Sequence, residues 1–251
     1  MHHAQDNPGS PEGVVIIRGA GGNKTTGNVI TMTFYRRYGK SILDIACSAF
    51  GLLVLLPLLF GVAALVRFKL GAPVFFRQKR PGFQGKPFEL IKFRTMNDKR
   101  GADGALLPDA QRLTLLGWFL RKTSLDELPE LWNVLKGDMS LVGPRPLLLQ
   151  YMCRYTPEQM RRHEVKPGIT GWAQINGRQD IKLSQRIELD IWYVENLSLL
   201  LDIKIMFRSA IVVFCGTGIQ QGQGPRTLDD LRSPNECIEN NSTKIQVKNN
   251  Y

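Results

Sequence analysis

The sequence predicts an α+β fold in which a mainly helical unit with a small β-hairpin is joined to a membrane helix. Residues 45–66 contain no charged side chain, and this length suffices to cross a bilayer as a straight helix. Two short β-prone stretches, 74–77 and 88–93, flank a turn rich in proline and glycine. Helical spacing of apolar residues from Leu113 onward indicates that helices dominate the rest.

The chain carries a strong excess of positive charge. Its 251 residues include 33 lysines and arginines against 22 aspartates and glutamates, a net charge of +11. This charge favours anionic partners, which include nucleic acid, a lipid surface and a phosphorylated substrate. With 43% hydrophobic residues, the chain suits one folded core with an appended membrane element.

The cysteines and histidines argue against a zinc site. The cysteines lie far apart without a CxxC pair, which favours a reducing compartment, and the histidines lack zinc-ligand spacing. These residues are Cys47, Cys153, Cys215 and Cys237, and His2, His3 and His163.

Composition divides the chain into four segments. Residues 1–35 form a polar leader and residues 220–251 a polar tail, both predicted to be disordered because they contain few large apolar residues. Residues 36–70 hold the apolar run with its basic flanks, and residues 71–219 form the globular unit. The leader lacks the continuous apolar core of a secretory signal peptide.

The apolar run from Ile45 to Val66 permits three interpretations. A simple span follows from its length, but Pro57 in its interior is expected to kink the helix. Arginines and lysines precede and follow the run, whereas a spanning helix usually has its positive charge on one side. A helix that enters the membrane, bends at Pro57 and returns explains both features, and a buried helix of a soluble protein is the third interpretation.

A second apolar segment, from Leu197 to Gly216, carries Asp202, Lys204 and Arg208 among large apolar residues. Its uninterrupted apolar stretch is too short to span a bilayer. The pattern fits an amphipathic helix in the membrane interface and fits a core helix with a charged outer face equally well.

The adjacent acids Asp126 and Glu127 have a structural and a catalytic interpretation. Ser124 can cap a helix that begins near Asp126, where acidic side chains complement the positive end of the helix. Alternatively, nearby cations such as Arg121 and Arg145 keep Asp126 ionised, so that it can attack phosphorus while Glu127 handles a proton or a metal.

Two further motifs suit an anionic substrate. Arg145 lies between two prolines in GPRP, which can preorganise its guanidinium for phosphate, although a rigid surface turn has the same sequence. The segment 164–178 combines glycines, a tryptophan, Gln174 and Arg178, a pattern compatible with a nucleotide or sugar loop and with ordinary turns.

Four motifs together resemble the monotopic polyprenyl-phosphate phosphoglycosyl transferases, a family of bacterial sugar transferases. The resemblance runs from about Arg36 to Gly216. The motifs are, in chain order, SILDIACSAFGLLVLLPLLF, PVFFRQKRPGFQGKPFELIKFRTM, RKTSLDELPELWNVLKGDMSLVGPRP and RHEVKPGITGWAQINGR. No one of them is specific alone, but their ordered combination is.

The resemblance implies a reaction and a site. Asp126 would be the nucleophile and Glu127 its partner, with Mg²⁺ as cofactor and both acids as candidate metal ligands. A UDP-sugar would donate a phosphosugar to polyprenyl (undecaprenyl) phosphate through a covalent aspartyl intermediate, releasing UMP. Arg121 and Arg145 are then candidates for phosphate contact, and the basic residues Lys79, Arg80 and Arg94 for guiding an anionic headgroup or substrate.

The resemblance also implies a location. The membrane helix would be re-entrant and broken at Pro57, and the globular unit would lie on the cytosolic face of the bacterial inner membrane. Many members have serine before this proline where the present chain has Leu56. Some members carry an added multi-span region, so this chain is expected to be a minimal form, and downstream glycosyltransferases are expected partners.

Two other function classes compete. A non-enzymatic membrane adaptor with a basic surface explains the charge and the apolar run but leaves the acidic pair unexplained. A nucleic-acid-binding module can use Trp172 and the basic residues, but the membrane-length run does not suit it, so no nucleic acid partner is expected.

Overall fold

The computed structural model describes residues 34–176, 181–215 and 230–231. Nearly all of the predicted leader and tail lies outside these ranges, as does Arg178. Within them, helices and two small sheets form a mixed fold with one long apolar helix near the amino terminus, as predicted.

The long helix α1 spans Lys40–Leu70 and follows a π-helical turn at Tyr35–Gly39. Its 31 residues correspond to roughly 46 Å, longer than the roughly 30 Å of a bilayer's hydrocarbon core. Pro57 lies inside the helix, and the helical backbone continues through it. The predicted break at Pro57 is therefore absent from this conformation, and the re-entrant course remains a prediction.

Both ends of α1 pack against the same globular unit. Lys40, Asp44 and Ser48 are buried near its beginning, and Val62 and Val66 are buried near its end. The middle of the helix exposes large apolar side chains instead: Leu53, Val54, Leu56, Leu58 and Phe60.

The predicted hairpin is confirmed. Strands β1, Phe75–Pro81, and β2, Pro87–Phe93, pair antiparallel, with Phe75 opposite Phe93 and Pro81 opposite Pro87. The connecting turn at Phe83–Gly85 contains a positive φ at Gly85, which glycine adopts without steric cost.

One of the two helices predicted around the acidic pair is confirmed, and the start predicted for the other is not. Helix α2 spans Asp109–Arg112, and α3 spans Leu115–Lys122, with Thr114 as its cap. A 3₁₀ turn at Leu125–Glu127 then precedes α4, Glu130–Leu135. Ser124 has a left-handed backbone and makes no capping bond, so the predicted helix start at Asp126 is wrong.

The remainder contains a sheet that the sequence did not reveal. Strands β3, Ser140–Val142, and β4, Gly168–Thr170, pair in parallel, and α5, Pro157–Met160, lies between them along the chain. Each strand has only three residues, too few to show a period-2 pattern. Helices α6, Trp172–Asn176, α7, Leu183–Asn196, and α8, Leu199–Cys215, complete the described fold.

The core consists of several clusters that join these elements. One contains Val142 of β3, Tyr193 of α7 and Ile205 of α8, and another joins Val66 of α1 to Phe93 and Leu120. Polar bonds add to the first cluster, because Asp202 accepts from Tyr193 at 2.7 Å and pairs with Lys40 of α1 at 2.6 Å. The start of α1 is thereby fastened to β3, α7 and α8.

Candidate active site

Asp126 lies in the 3₁₀ turn between α3 and α4 and is 7% exposed. Its carboxylate accepts no hydrogen bond and joins no ion pair within residues 34–176, 181–215 and 230–231. Asp126 therefore does not cap a helix by accepting a hydrogen bond from any backbone amide of these residues. A buried carboxylate without such bonds keeps its lone pairs available for a substrate or a cation.

Glu127, by contrast, is held by two cations. The Lys92 ammonium donates to its Oε1 at 2.7 Å, and the Arg145 guanidinium donates to the same oxygen at 2.5 Å. A second nitrogen of Arg145 lies 3.5 Å from Oε2. The structure thus joins Arg145 of the GPRP motif to the acidic pair, as the sequence predicted for a shared site.

Glu130, at the start of α4, completes the cluster. Its side chain is almost fully buried, and its Oε1 lies 3.0 Å from the Lys92 ammonium. Lys92 therefore lies between two glutamates. Sequence reasoning missed both Lys92 and Glu130, although Lys92 is the one charge in the apolar stretch LIKF and Glu130 follows Glu127 at helical spacing.

The environment shifts the three carboxyl groups in different directions. Burial and the neighbouring Glu127 raise the pKa of Asp126, although Lys92, Arg121 and Arg145 oppose this shift. Burial alone would raise the pKa of Glu127, but Arg145 and Lys92 outweigh it and hold that pKa well below its usual range. Burial and Glu127 raise the pKa of Glu130 to about 7, against the pull of Lys92.

These shifts correct one expectation. The cations were predicted to favour the ionised form of Asp126, but burial and the adjacent negative charge outweigh them. Glu127 is the residue that the cations keep ionised. Once ionised, Asp126 has a higher proton affinity than an ordinary aspartate, and higher basicity accompanies stronger nucleophilicity.

Arg145 is positioned by interlocking backbone segments. After β3, the Gly143 amide donates to Thr170 O at 2.8 Å and the Gly168 amide donates to Pro144 O at 3.0 Å. A Cβ at Gly168 would overlap the Gly143 backbone, so only glycine permits this approach. The glycines of GPRP and PGITG therefore place the Arg145 loop.

A buried ion pair supports the same loop from behind. Arg162 donates to the Arg145 carbonyl at 2.8 Å and pairs with Asp190 of α7 at 2.6 Å. It also donates to the Tyr155 hydroxyl at 3.3 Å. The sequence offered little sign of this pair, because its members are 28 residues apart along the chain.

Three predicted arginines have different surroundings. Arg121 bonds to Thr95 Oγ1 at 3.1 Å and lies near enough to Asp126 to lower that pKa. Arg80 donates to the Pro146 carbonyl at 3.3 Å, beside Arg145. Arg94 is engaged within the fold, donating to Met96 O and Ala72 O and pairing with an aspartate.

The other predicted contacts lie farther from the cluster or outside the described residues. Lys79 is an exposed residue of β1. Gln174 of α6 donates to the Ile169 carbonyl at 3.4 Å, and its buried amide oxygen accepts no hydrogen bond from the described chain. No described contact links Lys79 or Gln174 to the acidic pair.

The candidate metal ligands differ in how well they suit Mg²⁺. Within the described segments, no group of three or more acidic, histidine or cysteine side chains is arranged so that it could hold a metal ion. Mg²⁺ usually needs only one or two carboxylates together with substrate phosphates. Asp126 fits this requirement because its oxygens are unpaired, whereas the oxygens of Glu127 already face Arg145 and Lys92.

Comparison with known proteins gives a consistent result. The family model described as bacterial sugar transferase matches residues 35–216. The uncharacterized sugar transferase EpsL of Bacillus subtilis is 56% identical over 182 residues, which cover 72% of this chain and 90% of that protein.

Two larger relatives have named activities. A UDP-glucose:undecaprenyl-phosphate glucose-1-phosphate transferase of Escherichia coli is 43% identical over 185 residues, covering 69% of this chain and 39% of the relative. An undecaprenyl-phosphate galactose phosphotransferase of Salmonella typhimurium is 40% identical over 194 residues, covering 70% and 40%. The matched region thus spans about two-fifths of these relatives.

Proposed function

Because the chain belongs to the bacterial sugar transferase family, we propose that it transfers a phosphosugar from a UDP-sugar to polyprenyl (undecaprenyl) phosphate. The observation that carries the proposal is the division of labour in the acidic pair. Asp126 is buried and unpaired within the described chain, while Glu127 holds Lys92 and Arg145 beside it. The names of the two larger relatives supply the substrate classes.

The proposed first step is attack on the donor. A carboxylate oxygen of Asp126 forms a bond to the sugar-bearing phosphorus of the UDP-sugar, and the bond from that phosphorus to the bridging oxygen breaks. UMP leaves with the electron pair, and the phosphosugar remains on Asp126. Arg145 and Lys92, already oriented by Glu127, stabilise the negative charge that develops on the phosphoryl oxygens.

The second step regenerates the aspartate. An oxygen of polyprenyl phosphate attacks the same phosphorus, and the bond between phosphorus and the Asp126 oxygen breaks to give polyprenyl diphosphate sugar. The acceptor phosphate is largely ionised near neutral pH, since its second pKa is about 6. Glu127, with its depressed pKa, is a poor proton acceptor, so its role is to orient the cations.

Mg²⁺ is part of the proposal. Asp126 would hold the ion together with the substrate phosphates, and the ion would supply further compensation of phosphate charge. Three cations of the protein lie near the acidic pair and would also compensate phosphate charge: Lys92, Arg121 and Arg145.

We also propose a monotopic position on the cytosolic face of the inner membrane. Both ends of α1 pack against one globular unit, while its middle exposes apolar side chains. A helix with each end on a different side of the bilayer would place that unit inside the hydrocarbon. Exposed apolar residues of α8, including Leu200 and Phe207, are then available to the membrane interface.

The functional test measures UMP release by the purified full chain in detergent. The assay contains Mg²⁺, undecaprenyl phosphate and separately UDP-glucose, UDP-galactose, UDP-N-acetylglucosamine or UDP-N-acetylgalactosamine. We expect acceptor-dependent UMP with at least one donor, and a loss of at least about a thousandfold in Asp126→Asn. Asp109→Asn, a change of the same chemistry at an exposed position, is the matched control and retains activity.

Intact-mass measurement tests the covalent step. Wild type incubated with its donor but no acceptor is expected to gain the mass of the phosphosugar, and Asp126→Asn is not. Turnover that survives in Asp126→Asn would refute the nucleophile. A folded wild type that releases no UMP from any of the four donors would count against this donor class and favour the adaptor.

Membrane position has its own test. Single cysteines replace Arg37 and Arg67, exposed charged residues near the two ends of α1, in a chain otherwise without cysteine. We expect both to react with an impermeant maleimide in inverted vesicles and neither in spheroplasts. Labelling of one of them from the periplasmic side would establish a simple span instead.

A further inference from the structure

An apolar groove of about 570 Å³ lies between the last turns of α1 and helix α3. Its walls include Leu65, Lys69 and Leu70 from α1 and Leu115, Trp118 and Phe119 from α3. Leu115 is 85% exposed. Leaving such a side chain in water is unfavourable, so the groove suits an apolar occupant.

Positive charge lies on both sides of this groove: Lys69 belongs to its α1 wall, and Lys122 ends the helix that forms its other wall. Residues 115, 118, 119 and 122 share one face of α3, because they recur at helical spacing. The Lys122 ammonium lies over the Trp118 ring, 4.9 Å from its centroid. The apolar face therefore ends in a cation, and an occupant with an apolar tail and an anionic head would match it.

The end of α3 that carries Lys122 also lies just before the acidic pair in the sequence. Arg121 adjoins Lys122 at the end of α3, and its charge acts on Asp126. The 3₁₀ turn that carries Asp126 begins three residues after Lys122. An anionic head held at this end of α3 would therefore lie near the proposed nucleophile.

The opposite wall is continuous with the membrane helix. Leu65 belongs to α1, whose neighbouring residues Phe60 and Phe68 are also exposed. A long apolar chain can thus leave the groove along α1 without crossing water. A volume of about 570 Å³ holds a few isoprene units and not a complete polyprenyl chain.

We propose that this groove binds the isoprene units of polyprenyl phosphate nearest its phosphate, with the phosphate at Arg121 and Lys122. This inference rests on the proposed function and names the acceptor subsite for it. Leu115 lies about two helical turns from Lys122, so it contacts isoprene units beyond the first one. The groove thereby makes the enzyme sensitive to acceptor length.

The kinetic test compares Leu115→Gln with wild type on three acceptors at fixed detergent concentration. The acceptors are dimethylallyl phosphate, geranylgeranyl phosphate and undecaprenyl phosphate. In Leu115→Gln we expect the KM for the two longer acceptors to rise about tenfold, from the lost apolar contact. The KM for dimethylallyl phosphate, the KM for the UDP-sugar and kcat at saturating acceptor remain unchanged.

Leu200→Gln is the matched control, because Leu200 is 80% exposed on α8 and lies outside the groove. It is expected to weaken vesicle binding without changing the dependence of KM on acceptor length. The proposal is overturned if Leu115→Gln leaves the long-acceptor KM unchanged, if it affects all three acceptors equally, or if Leu200→Gln has the same effect.

A binding measurement separates this inference from the proposed function. A prenyl phosphate bearing a benzophenone on its apolar tail is irradiated with the full chain, and the labelled peptide is identified by mass spectrometry. We expect labelling within residues 113–122, competition by undecaprenyl phosphate but not by dioleoyl phosphatidate, and loss of the label in Leu115→Gln.

The outcomes are distinguishable. Wild type that releases no UMP but labels as expected would refute the transferase and retain the groove. Turnover with labelling elsewhere would refute the groove and retain the transferase. Equal competition by phosphatidate would overturn the assignment to the acceptor and indicate a general lipid site.

Discussion

Two clusters of buried charge meet at Arg145, and they differ in how completely their charges are paired. The side chain of Arg145 faces the cluster of Lys92, Glu127 and Glu130. Its backbone carbonyl accepts a hydrogen bond from Arg162, which pairs with Asp190. In the first cluster, Lys92 is shared by Glu127 and Glu130. Asp126 accepts no hydrogen bond from the residues that the structure describes. In the second, Arg162 and Asp190 bond directly to each other.

The difference indicates separate roles. Incomplete pairing leaves carboxyl groups with different proton affinities at one place, which suits chemistry on a phosphate. Complete pairing is typical of a support that holds one geometry. A buried charge is costly to leave without its partner. We therefore expect removal of a partner to lower mainly the stability in the Arg162 cluster and mainly the activity in the Asp126 cluster.

The largest expected effect on stability is that of Arg162→Met. The change leaves Asp190 buried without its cation, so we expect the free energy of unfolding to fall by about 3–5 kcal/mol. Chemical denaturation in detergent measures it. The double variant Arg162→Met/Asp190→Leu should recover part of the loss, and a single-variant loss below about 1 kcal/mol would contradict the assigned support role.

Glu130→Gln is expected to change the pH dependence of stability. The pKa of Glu130 is about 7 in the folded protein against an ordinary value of 4.5, so the folded state binds this proton more tightly. Raising the pH through that window therefore disfavours the folded state, by at most about 3 kcal/mol.

The measurement is the free energy of unfolding of wild type and Glu130→Gln at pH 5 and pH 7.5. Wild type should lose more stability over this interval than the variant. Glu158→Gln, at an exposed position, is the control and should follow wild type. Parallel pH curves for wild type and Glu130→Gln would show that Glu130 is not the titrating group.

Arg145→Lys tests the contacts that the Arg145 side chain makes with Glu127. Lysine lacks the planar fork that reaches both oxygens of Glu127, so we expect the rate of UMP release to fall by about 10–100-fold, equivalent to about 1.4–2.8 kcal/mol. The melting temperature should change little, because Arg162 bonds to the backbone carbonyl. Arg161→Lys serves as an exposed control; equal activities for the two variants would argue against Arg145 in the site.

The smallest expected effect is that of Arg77→Ala. Arg77 pairs with Glu89 at 3.0 Å on the exposed face of the hairpin, where solvent screens the interaction. The free energy of unfolding should change by less than about 1 kcal/mol in the denaturation assay used for Arg162. A larger change would mean that burial does not explain why the ion pairs of this protein differ in their contributions to stability.

The sequence alone predicted the elements that depend on local patterns. The length of the uncharged run predicted α1, two β-prone stretches on either side of a turn rich in proline and glycine predicted β1 and β2, and the spacing after Leu113 predicted α3. It also identified the acidic pair and Arg145, because short motifs keep those residues close along the chain. Their proximity in space is confirmed by the contact of Arg145 with Glu127.

Only the tertiary structure decided which acid is paired and what supports Arg145. Lys92 precedes Glu127 by 35 residues, and Arg162 precedes Asp190 by 28, so no local period could associate them. The direction of the Asp126 pKa shift likewise depends on burial, which is a property of the folded packing rather than of neighbouring letters. Local patterns thus determined α1, the hairpin and α3 and pointed to the acidic pair, whereas long-range contacts determined the charge states and partners of these acids.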